Sequence, residues 1–108
     1  MSIIDTNIAI NLVNNDEGIK DDITLVTLAE FPPIKSYSRF EGRIIYPNLD
    51  DLNLVVSLQE KLRAKGLMQG FADLLIAAIC INRNEELHTA DQGFNEIAKV
   101  SDLKIRKR

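Results

Sequence analysis

The sequence predicts an α/β fold in which a central, mostly parallel β-sheet is flanked by helices in three layers. Short apolar segments typical of strands alternate along the chain with longer segments of helical periodicity. Residues 71–82 are apolar on nearly every side, as expected for a central, fully buried helix. No repeat, low-complexity tract or linker interrupts the chain, so we expect one domain spanning residues 1–108.

The first half of the chain is expected to hold three strands and one helix. Residues 2–4 are apolar and form a candidate strand, after which Thr6 can cap an amphipathic helix. Residues 23–28 mix β-branched and apolar side chains in the manner of a buried strand, which the following proline pair stops. A third short strand is expected at residues 43–46.

The second half is expected to contain the longer helices. Asp50 or Asp51 can cap a helix whose apolar positions recur at helical spacing until Gly66 ends it. The buried helix at 71–82 follows. Three shorter elements complete the chain, namely a strand at 87–89, a helix at 94–99 and a strand at 103–105.

The composition is that of an ordinary folded protein. Hydrophobic residues make up 45% of the chain and charged residues 27%, which excludes disordered and fibrous classes. The longest apolar run, at 74–81, is far shorter than the roughly 20 residues of a membrane span, and the N-terminus lacks the basic start of a signal peptide. We therefore expect a cytoplasmic protein without a membrane partner. The single cysteine, Cys80, excludes an internal disulfide and is expected to be a small buried hydrophobe.

Four acidic residues occupy positions where a parallel sheet gathers functional groups. Asp5, Glu30 and Asp91 each follow a predicted strand, while Asp73 lies in the first turn of the predicted buried helix. Parallel sheets bind ligands at the carboxyl ends of their strands, so the four side chains could converge. Carboxylate oxygens suit hard cations such as Mg²⁺ or Mn²⁺, and two or three of them leave open positions for a phosphate.

Each acid also has an ordinary structural interpretation. Asp5 could cap the first helix, and Asp73 could complement the dipole of the buried helix. Asp91 could form an Asx turn before Gly93, and Glu30 could simply be solvated. Together the four are harder to explain in this way, because acids that converged without a cation would repel one another.

Four short motifs carry a resemblance to a known family. In chain order they are Asp5-Thr6-Asn7 after the first strand, Val-Thr-Leu-Ala-Glu at 26–30, Ala-Asp-Leu-Leu-Ile-Ala-Ala at 72–78 and Thr-Ala-Asp-Gln-Gly-Phe at 89–94. These motifs resemble the four successive motifs of PIN domains in order and partial spacing, and the third is especially similar to VapC toxins. The resemblance runs over nearly the whole chain.

The resemblance implies a PIN-like fold and a metal-dependent endoribonuclease of the VapC toxin type. The residues implied to be catalytic and to hold Mg²⁺ or Mn²⁺ are Asp5, Glu30, Asp73 and Asp91. Thr6, Asn7 and Thr89 would support them: Asn7 could hydrogen-bond a ligating carboxylate, and Thr89 could orient Asp91 or a water on the metal. The resemblance further implies an RNA substrate, a homodimer and a cognate antitoxin protein.

A metal would also explain how the chain manages without a histidine pair. His88 is the single histidine, and one histidine cannot provide both the acid and the base of a metal-free ribonuclease. A bound metal can lower the pKa of water and stabilise the charge on the leaving oxygen, so that no side-chain base is required.

Two alternatives stay open. Segment 31–42 is short and carries a proline pair where PIN toxins usually have a helical pair, so the chain could be a degenerate, non-catalytic PIN module that binds RNA or a protein. The presence of all four acids argues against this. A haloacid dehalogenase-like phosphatase is the second alternative. That class is expected to carry the motif Asp-x-Asp after its first strand, whereas this chain has Asp5-Thr6-Asn7, with Asn7 in place of the second aspartate.

The net charge of −3 argues weakly against a nucleic-acid binder. Setting the four acids aside leaves 12 acidic residues against 13 basic ones, so metal loading would make the chain tolerant of a phosphate backbone. The weak candidates for gripping RNA phosphates are Lys35, Arg39 and Arg43, together with the C-terminal Lys104, Arg106, Lys107 and Arg108.

Overall fold

The computed structural model describes residues 2–107, and for Lys107 the backbone alone. The strands are β1 (Ser2–Ile4), β2 (Ile23–Thr24), β3 (Ile44–Ile45), β4 (Glu86–Thr89) and β5 (Ile105–Lys107). The α-helices are α1 (Thr6–Asn14), α2 (Leu25–Glu30), α3 (Leu49–Ala64), α4 (Phe71–Asn82) and α5 (Gly93–Lys99), and a 3-10 helix covers Pro32–Ser36. The predicted alternation of strands and helices is therefore confirmed.

The strands run parallel to one another, as the alternation predicted. β4 pairs with β1 on one side and with β5 on the other, while β2 pairs with β3. The two groups meet where Ile3 and Asp22 form a parallel bridge, with the Ile4 amide donating to the Asp22 carbonyl at 3.0 Å. The order across the molecule is thus β3-β2-β1-β4-β5, with the carboxyl ends of β1 and β4 side by side at the centre.

Two hydrophobic clusters lie on opposite faces of this sheet. Successive side chains of a strand point to opposite faces, and in β1 Ile3 joins one cluster while Ile4 joins the other. The Ile3 cluster is formed mainly by α3, α4 and α5, and the Ile4 cluster is formed by α1 with residues 19, 23 and 34. The predicted three-layer arrangement, helices on both faces of a parallel sheet, is confirmed.

Helix α4 has the predicted bounds and the predicted burial. Residues 74–80 are all buried, including Cys80, because the helix lies between the sheet and α3. Burial raises the pKa of the Cys80 thiol to about 12, so this side chain serves as an unreactive hydrophobe. Within residues 2–107, no helix is both long enough and apolar enough to cross a membrane.

The helix caps correct two of the predictions. Asp5, rather than Thr6, is the N-cap of α1, and its side chain accepts from the Ile8 amide. Asn48, rather than Asp50 or Asp51, caps α3, and Asp51 completes a capping box by accepting from the Asn48 amide at 2.8 Å. In each case the cap belongs to a residue whose backbone is still extended, which the sequence pattern did not reveal.

The strand predicted at 23–28 is wrong beyond Thr24. The Thr24 hydroxyl accepts from the Val26 amide at 3.2 Å, and this cap starts α2 at once. The β-branched residues that suggested a strand are instead tolerated in a helix of six residues that packs against the sheet and the 3-10 helix. Glu30 consequently lies at the end of a helix and not at the end of a strand.

The last strand is also displaced from its predicted position at 103–105. The Ser101 hydroxyl donates to the Ile97 carbonyl and accepts from the Leu103 amide, which holds the chain in a turn. Leu103 is buried within that turn, and β5 begins only at Ile105.

Gly42 permits the close approach that joins β2 and β3. A Cβ atom at this position would lie 1.9 Å from the Asp21 carbonyl oxygen, so any other residue would force the two segments apart. The approach lets the Arg43 amide donate to the Asp22 carboxylate at 2.8 Å, immediately before β3 begins.

The buried Asp51 carboxylate links the start of α3 to the end of α4. It accepts from Asn82 and twice from Arg83, in addition to its capping bond with Asn48. Burial alone would raise the pKa of Asp51, but the hydrogen bonds from Arg83, Asn48 and Asn82 and the charge of Arg83 outweigh it and lower that pKa.

We predict that Asp51→Ala lowers the free energy of unfolding by about 3 kcal/mol, because it leaves the Arg83 charge and two polar groups without their partner. Urea denaturation measures this, with the exposed Asp102→Ala as the control expected to change stability by less than about 0.5 kcal/mol. Because the folded-state pKa is lowered, the contribution of Asp51 is present above its ordinary value of 3.8 and is lost as the pH falls below it. An equal loss of unfolding free energy in the two variants would contradict the stabilising role of the Asp51 hydrogen bonds.

Candidate functional site

A cleft of about 280 Å³ opens at the carboxyl ends of β1 and β4. It is lined by all four acids that the sequence singled out, Asp5, Glu30, Asp73 and Asp91, together with Thr6, Asn7, Ile10, Ile76 and Phe94. The acids come from four separate parts of the chain, and the parallel pairing of β1 with β4 brings the first and last of these parts together.

Asp5 is the buried floor of the cleft. Its side chain is almost completely inaccessible, and one oxygen accepts from the Ile8 amide at 3.0 Å while the other accepts from the Thr89 hydroxyl. The Asp5 amide in turn donates to the His88 carbonyl at 3.2 Å. Asp5 therefore caps α1, as its ordinary interpretation suggested, and lines the cleft with the same carboxylate.

One hydroxyl connects the ends of two acidic segments. The buried Thr89 side chain donates to Asp5 and accepts from the Asp91 amide at 2.9 Å, so it fixes the backbone that carries Asp91. Asp91 is exposed, and it accepts from the Gly93 amide at 2.9 Å in the predicted Asx turn.

Glu30 is held by hydrogen bonds that involve two threonines, Thr6 and Thr27. The Thr6 hydroxyl donates to a Glu30 carboxylate oxygen at 2.6 Å and lies 3.0 Å from the Thr27 hydroxyl. Because Thr6 has one hydroxyl proton and directs it at Glu30, the buried Thr27 hydroxyl must donate to Thr6. The result is a chain of hydrogen bonds that runs from the interior through Thr6 to Glu30.

Asp73 is the acid of the cleft whose pKa is raised by its surroundings. Its side chain is half-buried in the first turn of α4, and no side chain among residues 2–106 and no backbone amide of the described residues donates a hydrogen bond to its carboxylate. Burial raises the pKa of Asp73, and the negative charges of Asp91, Glu30 and Asp5 raise it further. The four acids are therefore close enough to influence one another.

Buried acids elsewhere in the protein have an arginine partner. Asp22 lies 2.8 Å from Arg43, and Asp51 lies 2.9 Å from Arg83. Asp5 is equally buried, yet the described residues supply it with hydrogen-bond donors alone and with no cationic side chain. The cleft thus concentrates negative charge with no cationic side chain among its described lining residues.

The donor set suits a hard divalent cation, although the side chains are not yet arranged as a coordination shell. Within residues 2–107, no three His, Cys, Asp or Glu side chains stand at metal-ligand spacing. Glu30 and Asp91 are exposed, and the carboxylate of each takes part in a single hydrogen bond, so these two side chains are less constrained than Asp5.

The supporting residues have more specific places than the sequence indicated. Thr6 and Thr89 each hydrogen-bond an acid of the cleft, whereas Asn7 lines the cleft without reaching any of the four acids. Thr27 was missed by the sequence analysis. Its position one helical turn before Glu30, on the same face of α2, is the signal that could have identified it once this segment was recognised as a helix.

The basic residues considered for RNA lie outside the cleft lining. Arg43 is bound to Asp22, and Arg39 is paired with Asp16 at 3.9 Å, while Lys35 is exposed on the 3-10 helix. Near the C-terminus, Lys104 donates to Asn84 at 2.7 Å and Arg106 is exposed in β5. The Lys107 side chain and Arg108 lie outside the described residues.

The fold matches solved structures of toxin–antitoxin complexes. VapBC2 from Rickettsia felis, solved with a DNA fragment from its promoter, matches with a TM-score of 0.77 and 24% identity over 98% of this chain and 97% of that one. VapBC-5 from Mycobacterium tuberculosis gives 0.78 and 20% over 99% and 98%, and VapBC-1 from nontypeable Haemophilus influenzae gives 0.75 and 21% over 98% and 96%.

These likenesses confirm the PIN-like fold of VapC toxins that the four motifs suggested, and they extend over almost the full length of both chains. No protein-family model matches the sequence, and no curated protein matches it significantly.

We predict that Asp73→Asn stabilises the protein in the presence of chelator, by about 0.5–1 kcal/mol, because it removes a charge that three neighbouring acids repel. A raised folded-state pKa means that the folded protein binds this proton more tightly than the unfolded chain. The stability difference between variant and wild type should therefore shrink as the pH falls through the pKa of Asp73.

Urea denaturation at several pH values measures this difference. Asp102→Asn, which removes a negative charge from an exposed position outside the cleft, is the matched control. Destabilisation by Asp73→Asn at neutral pH would show that the carboxylate is a structural group and not one held against repulsion.

Proposed function

We propose that this chain is a metal-dependent ribonuclease and the toxin of a VapBC-type toxin–antitoxin pair. The observation that carries the proposal is the cleft in which Asp5, Glu30, Asp73 and Asp91 collect, with no lysine or arginine among the described residues that line it. The fold supports it, because the matched structures are of VapBC complexes.

The four acids would hold Mg²⁺ or Mn²⁺ between them. When bound, such an ion lowers the pKa of a water molecule, orients it for in-line attack and neutralises charge on the leaving oxygen. Asp5 contributes a carboxylate whose direction is fixed by Ile8 and Thr89. Glu30 and Asp91 contribute exposed carboxylates that can adjust as the ion and an RNA phosphate enter.

Asp73 is the acid whose surroundings most strongly favour binding of a cation. Its carboxylate is half-buried, lacks a hydrogen-bond donor among the described side chains and backbone amides, and feels the negative charges of Asp91, Glu30 and Asp5. A divalent cation offsets this repulsion, so ion binding and the relief of charge strain reinforce each other. Ile10, Ile76 and Phe94 supply the apolar part of the cleft lining.

The partner proposed for the cleft is a cognate antitoxin. The matched VapBC structures support such a partner, and an arginine from it that reached the carboxylates would pair with their negative charge. The antitoxin would then compete with the metal for the same oxygens.

Cleavage of RNA tests the proposed activity. We predict that the wild type, with Mn²⁺ or Mg²⁺, cuts members of a mixed set of structured and single-stranded RNAs and that chelator abolishes the cutting. Asp73→Asn should lower the rate roughly 100-fold or more, the scale of losing a group that stabilises the transition state. Gel analysis at matched purity measures both rates, with Asp102→Asn as the control that should cut normally.

Equal cleavage by wild type and Asp73→Asn would expose a contaminating nuclease. The absence of cleavage by a wild type that still binds Mn²⁺ would favour the alternative, a PIN module that binds RNA or a protein without cutting it.

The threonine chain makes a separate prediction about metal affinity. Thr27→Val keeps the shape of the side chain but removes the hydroxyl that orients Thr6, and through it Glu30. We expect the dissociation constant for Mn²⁺ to rise about 10-fold, as is typical when a group that orients a metal ligand is lost.

Calorimetric titration with Mn²⁺ measures this affinity, and Thr27→Ser, which restores the hydroxyl, is expected to bind like the wild type. If Thr27→Val remains folded and binds Mn²⁺ as tightly as Thr27→Ser, the hydrogen-bond chain does not position Glu30.

A further inference from the structure

The loop between α3 and α4, residues 65–70, is fixed by a side chain of α3. Gln59 Nε2 donates to the Gln69 carbonyl at 2.7 Å, and Gln59 Oε1 accepts from the Gln69 amide at 3.2 Å. A carboxamide that binds both backbone groups of one residue satisfies that residue as a neighbouring strand would. The backbone of Gln69 therefore has a defined position, shortly before the cleft acid Asp73 in the sequence.

The Gln69 side chain extends from this fixed backbone to the rim of the acidic cleft. A Cβ atom added to Gly93, the first residue of α5, would lie 3.2 Å from Gln69 Oε1 and 3.4 Å from Asp91 Oδ1. The carboxamide and the cleft carboxylate thus lie on the same open side of the Gly93 Cα and are neighbours. A larger residue at this position would crowd the carboxamide, so Gly93 provides the space that Gln69 occupies.

The Gln69 carboxamide is not used by the fold. Its backbone takes part in two hydrogen bonds with Gln59, but its side chain makes none within the described part of the chain. The side chain is partly exposed. A carboxamide offers N–H donors and an acceptor oxygen, so Gln69 presents both to any ligand that enters the cleft beside Asp91.

The lack of charge suits a side chain in this place. A lysine or arginine beside Asp91 would pair with that carboxylate, whereas a further acid would add to the repulsion that raises the pKa of Asp73. Gln69 does neither. It can therefore bind a ligand at the rim without changing the charge of the cleft.

A donor and an acceptor side by side match the edge of a nucleotide base. Phosphates are bound more strongly by cationic side chains, and contacts with them carry no sequence information. A glutamine carboxamide forms a two-point contact with adenine, donating to N7 and accepting from the N6 amino group. In single-stranded RNA the base edges are unpaired, so a side chain can reach them.

We propose that Gln69 is a specificity-determining residue that hydrogen-bonds the edge of an unpaired adenine, next to an RNA phosphate bound in the acidic cleft. Gln59 and Gly93 hold its carboxamide in place. This role rests on the proposed function, because it requires RNA in the cleft. It adds a base preference that the four acids cannot supply, since the phosphate is the same in every sequence.

Selection from a pool of short single-stranded RNAs of random sequence tests this role. The protein is Asp73→Asn, in which cutting is expected to be slow, and the RNAs bound in the presence of Mn²⁺ are sequenced. We expect adenine to be preferred roughly 10-fold over other bases at one position, the scale of one two-point base contact. Adding Gln69→Met, which keeps the side-chain length and the backbone groups that Gln59 binds, should remove this preference.

Two further substitutions are made in the same Asp73→Asn protein. Gln92→Met makes the same exchange next to Asp91, at a carboxamide that accepts from Asn95 at 2.8 Å and lies outside the cleft lining, and it should keep the adenine preference. Gln59→Met releases the loop and should weaken the preference although Gln69 is still present. Urea denaturation verifies that the variants are folded.

An adenine preference that survives Gln69→Met, or that disappears with Gln92→Met alone, would overturn the role of Gln69. An equal loss of affinity for every sequence in Gln69→Met would overturn it as well, because it would indicate a contact with the ribose hydroxyl and not with a base.

Cleavage by the wild type is measured separately, so the two proposals can fail independently. RNA cutting without any adenine preference would overturn the role of Gln69 and leave the nuclease intact. An adenine preference that Gln69→Met removes, in a protein whose wild type does not cut RNA, would support the role of Gln69 and overturn the nuclease.

Discussion

The buried Asp5 carboxylate is the constraint on which the candidate site depends. A carboxylate is costly to remove from water, and this one is stabilised because both oxygens accept hydrogen bonds and one of them caps α1 at its positive end. Since its partners are Ile8 in α1 and Thr89 in β4, the same contacts that stabilise the charge also join a helix to two strands. Hydrogen bonds therefore fix the Asp5 carboxylate at the floor of the cleft, whereas Glu30 and Asp91 at its rim are exposed.

The buried acids outside the cleft differ from those in the cleft in having arginine partners. Asp22 and Asp51 hold elements together through Arg43 and Arg83, and their charges are neutralised within the protein. The acids of the cleft lack such a partner among the described residues, and burial together with the charges of the neighbouring acids raises the pKa of Asp73. Proteins commonly give up stability in this way at sites that bind an ion or a substrate. The cation proposed for the cleft would offset this repulsion.

Much of this fold was predictable from periodicity, because α4 is apolar on all sides and the parallel strands alternate with helices. The two strand predictions that were wrong concern segments whose structure depends on a hydroxyl hydrogen bond. The Thr24 hydroxyl caps α2 where a β-branched strand was expected, and the Ser101 hydroxyl holds a turn where β5 was expected to begin. The meeting of Asp5 and Asp91 could be predicted because each follows a parallel strand, whereas Glu30 reaches the cleft from the end of α2 and Asp73 from the start of α4. The hydrogen bond from Thr27 to Thr6 could not be predicted from the sequence. It depends on the direction of the Thr27 hydroxyl, and the segment that carries Thr27 was expected to be a strand and not a helix.

The most direct test of the account is a crystal structure of the protein soaked with Mn²⁺, in which anomalous scattering locates the ion. The account predicts a peak in the acidic cleft, within about 2.2 Å of carboxylate oxygens from at least two of Asp5, Glu30, Asp73 and Asp91. A cleft without a peak at saturating Mn²⁺, or peaks confined to other surface carboxylates, would contradict the claim that these four acids form a metal site.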